Sequence, residues 1–364
     1  MMTPEELGDA LGWTGDTALI DRLDDALAIE TGAAIEVRLD PPALVALAAL
    51  PARARHRLLR APEVTRRLLF ASAPPGDTAR FLVESIAVEG ALAGAGSPTA
   101  RLSPAAACWS ALGDACVLAD GTTAGWPQLE GRAMALDFGS PWAQGIDLSG
   151  QLEHTDTPRR QFTDDELQRV HGRVAATMAT LDQLSRTVSR FVDRATCVLV
   201  LQIDPASPTH VASGTNGNYI GRSFVTNPQL DDGTLDCLAE GIVHEAIHGL
   251  LYRDSLHRPW VRGEAANEVP RVRSPWTGRT LTVRAYLEAA CVWFGLAHLW
   301  ALGHQAQLFE PAEARRRLVR SVSGFGQGAL VDRLNPWRAD IRPDIVEVID
   351  GLQHRVVDAL AEAA

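Results

Sequence analysis

The stretch LAEGIVHEAIHGLLYRD, from Leu238 to Asp254, contains two histidines four positions apart and a glutamate directly after the first. On an α-helix, side chains four positions apart lie on one face, so His244 and His248 can offer two imidazoles to one metal ion. With Glu245 they form the HExxH pattern, in which the histidines hold the ion and the glutamate acts as general base. The flanking residues are apolar, which predicts a largely buried helix, where histidines without partners would cost free energy. We therefore expect a metal site on this helix.

A third protein ligand must come from elsewhere, and two acidic residues lie at spacings found in zinc enzymes. Asp254 lies six positions after His248, as in metzincins, but Leu251 stands where that geometry needs a glycine. Glu268 lies twenty positions after His248, as in thermolysin-like enzymes. Their glutamate sits on a helix, and the prolines that follow, beginning with Pro270, disfavour a helix through Glu268. Neither spacing therefore settles the third ligand.

Glu288 is the candidate that we favour. It lies in a predicted helix, RAYLEAACVWFGLAHLW, where its neighbours at helical spacing are apolar or small. A buried carboxylate without a partner is costly, and a metal ion would stabilise it. The alternative is an ion pair with Arg284, four positions earlier on the same helix. Two histidines and a carboxylate fit either zinc with Glu245 as base for peptide hydrolysis or Fe(II) for oxidation, and ligand identity does not choose between them.

The elements that must position these residues alternate between helical and extended patterns. Pro51 and Pro62 break the helical pattern near the N-terminus. The predicted elements are, in chain order, helices over residues 1–90, short strands at CVLAD and AMALDF within 105–150, one long helix over Asp164–Val192, a strand over Thr196–Ile203, a glycine-rich turn and edge strand within GTNGNYIGRSFVTNP, the histidine helix, an irregular proline-containing connection, and a second helix over 281–303.

This order of elements resembles that of zincin-like metal domains. It predicts an α+β, mostly helical protein: a zincin-like metal domain with a small sheet covered by helices, plus a helical N-terminal region. Four consecutive parts are expected: a helical N-terminal region over 1–95, a mixed connecting region over 96–160, the zincin-like HExxH catalytic domain over 161–310, and a C-terminal helical tail over 311–364.

The composition excludes several function classes. The net charge is −11 and all 34 basic residues are arginines, which excludes a lysine Schiff base and a P-loop lysine. The acidic balance argues against a nucleic-acid partner. Five scattered cysteines, without a CxxC pair, predict free thiols in a reducing compartment. We found no apolar run near the roughly 18 residues that span a bilayer, and the N-terminus is acidic, so we expect a cytoplasmic protein without a membrane partner.

Three features of residues 165–305 resemble one known family. They are the helix LAEGIVHEAIHGLL after a glycine-containing strand, the turn SPWTGR at Ser274–Arg279, and a following helix with an LAHLW segment and Glu288 near the family's ligand position. The family is that of HExxH-motif peptide-modification proteins, described as 2-oxoglutarate-dependent HExxH-type peptide β-hydroxylases.

The resemblance implies an oxidative reaction on a zincin-like fold. Fe(II) would bind His244, His248 and Glu288, with 2-oxoglutarate and molecular oxygen as co-substrates. The substrate would be a ribosomally made precursor peptide in natural-product biosynthesis, hydroxylated at a β-carbon. Glu245 would then orient a ligand or water instead of acting as a base.

Arg279 and Arg284 are the candidates for binding the distal carboxylate of 2-oxoglutarate, because an arginine fork suits a carboxylate. A zinc metallopeptidase is the alternative to the hydroxylase. A third hypothesis is a module without metal that recognises a precursor peptide through its edge strand.

Overall fold

The computed structural model describes residues 3–70, 74–95, 107–143, 160–205, 207–256 and 258–362 of the 364-residue chain. Within these residues the protein is mixed α and β, mostly helical, with small sheets. The α+β class that the sequence predicts is thereby confirmed.

The chain divides into two compact units, each assembled from separate stretches. The histidine unit comprises Arg22–Ala176 and Val192–Gly249, and so contains the HExxH motif. The C-terminal unit comprises Met1–Asp21, Thr177–Phe191 and Leu250–Ala364. The division into four consecutive parts stays a prediction.

Helices make up most of the described residues. They are, in chain order, α1 (Pro4–Leu11), α2 (Ala18–Arg38), α3 (Pro41–Ala49), α4 (Ala52–Arg60), α5 (Pro62–Leu69), α6 (Pro75–Ala95), α7 (Asp164–Leu184), α8 (Arg186–Ala195), α9 (Leu235–Ser255), α10 (Glu264–Glu268), α11 (Val283–Ala306), α12 (Pro311–Ser323), a 3₁₀ helix (Val331–Asp340) and α13 (Pro343–Glu362). The strands are short. They are β1 (Ala107–Trp109), β2 (Ala115–Leu118), β3 (Thr123–Gly125), β4 (Ala135–Asp137), β5 (Val198–Gln202), β6 (Ala212–Thr215), β7 (Arg222–Thr226), β8 (Val272–Arg273) and β9 (Thr280–Leu281).

The N-terminal helices are separated at the prolines that the sequence marks as breaks. Pro51 directly precedes α4, and Pro62 is the first residue of α5. A proline at the first position of a helix lacks only an amide hydrogen that the helix leaves unbonded, so Pro62 can start α5 as well as end the preceding helical pattern. Side chains of the N-terminal helices, such as Ile35 and Leu58, share one buried core with Val198 and Phe224 of the sheet.

The main sheet of the histidine unit has the strand order β4-β5-β7-β6. β4 and β7 both pair with β5 in parallel, and β6 pairs with β7 in the antiparallel direction. All residues of β5 and β7 are buried, as in strands of a parallel sheet whose two faces are covered. The strands at CVLAD, AMALDF and Thr196–Ile203 are confirmed as β2, β4 and β5.

The predicted edge strand is wrong in its placement. The segment NYIGRSFVT contributes β7, which lies between β5 and β6 inside the sheet. The edge strand next to it is β6, which precedes it in the chain and has the sequence ASGT; β4 forms the opposite edge. Alanine, serine and glycine have little preference for strands, so the sequence pattern does not mark β6.

The long helix predicted over Asp164–Val192 is two helices, α7 and α8. The helix is interrupted at Ser185, whose hydroxyl accepts a hydrogen bond from the backbone N–H of Val188 at 3.4 Å. This is the hydrogen bond of an N-cap residue, which favours the start of a new helix.

Helix α11 is the one described helix that is long and apolar enough to cross a membrane by length and composition. An 18-residue window of it has a mean hydropathy of 1.3, so the expectation that no such run exists is corrected. However, 72% of this window is buried inside the protein, as is usual for the core helix of a soluble protein.

Candidate metal centre

The HExxH residues lie on α9, as predicted. The hydroxyl of Thr234 accepts the backbone N–H of Cys237 at 3.4 Å and so caps the start of this helix. Its apolar residues are almost entirely shielded from solvent, which confirms the prediction of a buried helix. They include Leu238, Ala239, Ile242, Val243, Ala246 and Ile247.

His244, Glu245 and His248 converge. One ligand atom from each of the three side chains lies within 4.8 Å of the other two, and the two imidazole centroids are 5.1 Å apart. Bonds of about 2.1 Å to a tetrahedral ion place two ligand atoms about 3.4 Å apart. Small side-chain rotations therefore suffice to bring these groups onto one ion, and the donor set fits zinc or Fe(II).

The three side chains differ in their access to solvent. The side chain of His244 is 36% exposed and that of Glu245 is 5% exposed. His248 is half-buried. The cluster thus joins an imidazole that solvent can reach to a carboxylate held inside the protein.

Glu245 is held by a residue outside the motif. The hydroxyl of Ser213, on β6, donates a hydrogen bond to Oε1 of Glu245 at 2.8 Å. The same oxygen lies 4.0 Å from Nε2 of His244. Ser213 therefore keeps the carboxylate next to the histidines, although no motif in the sequence marks this residue.

Gly241 allows β6 to lie this close to α9. A Cβ atom at Gly241 would lie 3.1 Å from both Cβ and Oγ of Ser213, which is closer than ordinary van der Waals contact. The glycine, one turn before Glu245 on the helix, thus makes space for the hydroxyl that binds the carboxylate.

Glu288 belongs to the C-terminal unit, where it forms the ion pair with Arg284 that the sequence left open as the alternative to metal binding. It is 8% exposed, and its Oε1 accepts a hydrogen bond from Nε of Arg284 at 2.7 Å. Burial opposes the charge of Arg284, but the Glu288 carboxylate outweighs it and raises the pKa of this guanidinium. That Glu288 ligates a metal and that Arg284 binds 2-oxoglutarate stay predictions.

Arg279, the other candidate for 2-oxoglutarate, is exposed in the turn between β8 and β9. Its backbone carbonyl accepts the N–H of Ser274 at 2.8 Å. In the same turn, Nε1 of Trp276 donates to the carbonyl of Ser321 at 2.9 Å, and its ring stacks on Trp293. The tryptophan of SPWTGR is thus a packing residue of the C-terminal unit, and the role of Arg279 stays a prediction.

The two rival carboxylates also lie in the C-terminal unit. Oδ2 of Asp254 accepts a hydrogen bond from Nε1 of Trp260 at 2.8 Å. Glu268 is exposed and is the last residue of the short helix α10, so the expectation that it lies outside a helix is wrong. The helix ends two residues before Pro270, so the proline limits its length without preventing it.

No model of a known protein family matches the chain, and no curated protein matches it. The fold and the site define a class: a mostly helical α+β protein whose histidine unit carries a His-Glu-His group that can hold a divalent ion.

Proposed function

We propose that the chain is a metal-dependent enzyme that modifies peptides and holds a divalent ion with His244 and His248. The observation that carries this proposal is the convergence of two imidazoles and one buried carboxylate within 4.8 Å. Imidazole and carboxylate are ligands of zinc and of Fe(II), and two histidines leave positions for reactants.

The edge strand supports a peptide as the substrate. In the described part of the chain, no strand pairs with the second edge of β6, and its residues are half-buried. An extended peptide can add to such an edge through backbone hydrogen bonds. Because β6 carries Ser213, the partner of Glu245, a peptide bound along β6 would pass beside the histidine cluster.

The reaction that we favour is Fe(II)- and 2-oxoglutarate-dependent β-hydroxylation of a precursor peptide, which the family resemblance implies. Iron, when bound, would supply the activation of molecular oxygen. Overall, a C–H bond, oxygen and 2-oxoglutarate become an alcohol, succinate and carbon dioxide, with one oxygen atom entering the alcohol and one entering succinate. In this reaction Glu245 has an orienting role, which suits a carboxylate held in place by Ser213.

A zinc metallopeptidase is the second candidate, and the position of Glu245 favours it. Oε1 lies 4.0 Å from Nε2 of His244, so this carboxylate is near enough to take a proton from a water beside the ion. The two reactions thus assign different work to the same side chain.

Reconstitution without oxygen separates the two reactions. Purified protein is titrated with Fe(II) and 2-oxoglutarate, and oxygen is then admitted. A weak visible absorption band and succinate formation, both lost in His244→Ala, support the hydroxylase. Cleavage of a fluorogenic peptide library that persists without oxygen contradicts it and favours the peptidase. Peptide binding that survives His244→Ala unchanged, with neither reaction detected in the unmodified protein, contradicts both and favours a peptide-binding module.

The proposal keeps Glu288 as the third ligand. We expect Glu288→Gln to lower the affinity for Co(II) or Zn(II) by at least about tenfold, with Arg284→Ala as the matched control because it breaks the same ion pair and leaves the carboxylate in place. If both variants change only the stability of the protein and not its metal affinity, the ion pair is the whole role of Glu288.

A further inference from the structure

Ser213 connects the edge strand β6 to the carboxylate of the HExxH motif through a hydrogen bond. It lies 32 positions before Glu245 in the chain, and its hydroxyl reaches Oε1 of that residue at 2.8 Å. The close approach depends on Gly241, where any side chain would meet Ser213. Ser213, Gly241 and Glu245 all belong to the histidine unit, and Ser213 lies outside the HExxH motif.

Glu245 is close enough to the histidines to ligate an ion itself. Its ligand atom lies within 4.8 Å of the ligand atoms of both His244 and His248. A carboxylate that turned onto the ion would occupy a position that the reactants need, and it could no longer act as a base or orient water. A contact must therefore hold the Glu245 side chain near the ion but outside bonding distance of it.

We infer that Ser213 is a positioning residue that holds the Glu245 carboxylate beside the metal and prevents it from becoming a ligand. The inference rests on the proposed function, because it concerns the same ion. The hydroxyl fixes the carboxylate through Oε1, the oxygen that faces His244. It also draws charge from this oxygen, which makes it a poorer ligand.

Cobalt is the probe for this role, because the visible spectrum of bound Co(II) reports its ligands. We expect Ser213→Ala to change the Co(II) spectrum and to lower turnover by about 10- to 100-fold. Ser213→Thr, which keeps the hydroxyl, should retain the spectrum of the unmodified protein. Ser140→Ala is the matched control, since it removes another serine hydrogen bond to a buried carboxylate in the same unit, from Ser140 Oγ to Asp137 at 2.6 Å; it should leave the spectrum unchanged.

A second pair of variants covers the case in which Ser213→Ala does not fold. Ser213→Thr and Ser213→Val have side chains of equal shape that suit a strand and differ in the hydroxyl. The same spectral change is expected in Ser213→Val and not in Ser213→Thr.

A double-mutant cycle shows whether Ser213 acts through Glu245. In a Glu245→Ala background, removal of the Ser213 hydroxyl should have no further effect on the Co(II) spectrum or affinity. An effect that persists in this background overturns the inference, and so does a Ser213→Ala variant with the unmodified spectrum and turnover. If the unmodified protein binds no Co(II), both the proposed function and the inference about Ser213 are wrong. If it binds Co(II) and the Ser213 variants behave like it, only the inference fails.

Discussion

His244 and Glu245 are neighbours in sequence with opposite surroundings. The imidazole is 36% exposed, whereas the carboxylate is 5% exposed and accepts a hydrogen bond from Ser213. A buried carboxylate needs such a donor, because burial without a hydrogen bond or an opposite charge costs several kcal/mol. The same contact that satisfies Glu245 also fixes its direction, which links the stability of this side chain to its proposed work.

Asp137, at the end of β4, is a second buried carboxylate of the histidine unit, and its charge should make stability depend on pH. Burial raises the pKa of Asp137 from 3.8 to about 6, although hydrogen bonds from Ser140 and Gly139 and the charge of Arg222 partly offset this. The folded state therefore holds the proton more tightly than the unfolded state. This contribution to stability is complete below about pH 4 and is lost as the pH rises through about 6.

The comparison with Asp137→Asn measures this effect. Between pH 4 and 7 the unmodified protein should lose about 2 kcal/mol of unfolding free energy relative to the variant. Urea unfolding of both proteins at several pH values provides the measurement. Parallel pH profiles for the two proteins would show that Asp137 has an ordinary pKa.

The residues of the candidate site could be predicted from the sequence only where they are near one another in the chain. The helical repeat makes His244 and His248 neighbours, and the motif includes Glu245. Ser213 carries no such signal, because its contact with Glu245 depends on how a strand packs against a helix. For Glu288 the sequence left a metal and an ion pair open, and the C-terminal unit contains the ion pair.

The packing of helix α9 against strand β6 sets the geometry of the candidate metal centre. Gly241→Ala tests it, because the added methyl group would lie 3.1 Å from Ser213 and push the strand away. We expect the Co(II) spectrum to change, because Ser213 no longer holds Glu245, and the unfolding free energy not to rise; Co(II) titration and urea unfolding measure the two effects.

Gly172→Ala is the control for this substitution. Gly172 is also a helical glycine of the histidine unit, but a Cβ atom there meets nothing within 4 Å. Replacing an exposed glycine inside a helix with alanine ordinarily stabilises by about 0.5–1 kcal/mol. Equal stabilisation in both variants, with an unchanged Co(II) spectrum in both, would mean that α9 and β6 do not need their close approach.

Elements with strong periodic patterns were predictable, and those made by tertiary contacts were not. The histidine helix, β5 and α11 follow from runs of apolar residues. The β-branched and aromatic residues of NYIGRSFVT favour a strand, but whether that strand lies at the edge depends on its pairing with β5 and β6. The break at Ser185 depends on one hydroxyl, which is too small a feature to show in a helical pattern.

The two units are interleaved along the chain, because each is built from separate stretches. Helix α9 supplies residues up to Gly249 to the histidine unit and residues from Leu250 to the C-terminal unit. Sequence patterns report consecutive segments, so they predict four parts in a row and carry no sign of units built from distant stretches.

A bound ion should stabilise the folded chain, because it binds the folded state and not the unfolded one. At an ion concentration 100 times the Kd, the expected gain is about 2.7 kcal/mol. Thermal unfolding with Zn(II) and with excess chelator should therefore show a higher Tm with the metal. His248→Ala is the control. An equal rise in the Tm of this variant with Zn(II) would show that the ion binds at a different site.

X-ray absorption at the metal edge, combined with a binding titration, shows whether His244 and His248 hold the ion in protein loaded with one equivalent of Zn(II) or Fe(II). We expect one ion per chain with two imidazole nitrogens among its ligands. His244→Ala and His248→Ala should each lower the affinity by more than about 100-fold. An ion with no imidazole ligand, or an affinity unchanged in both variants, would contradict the claim that His244 and His248 hold the metal.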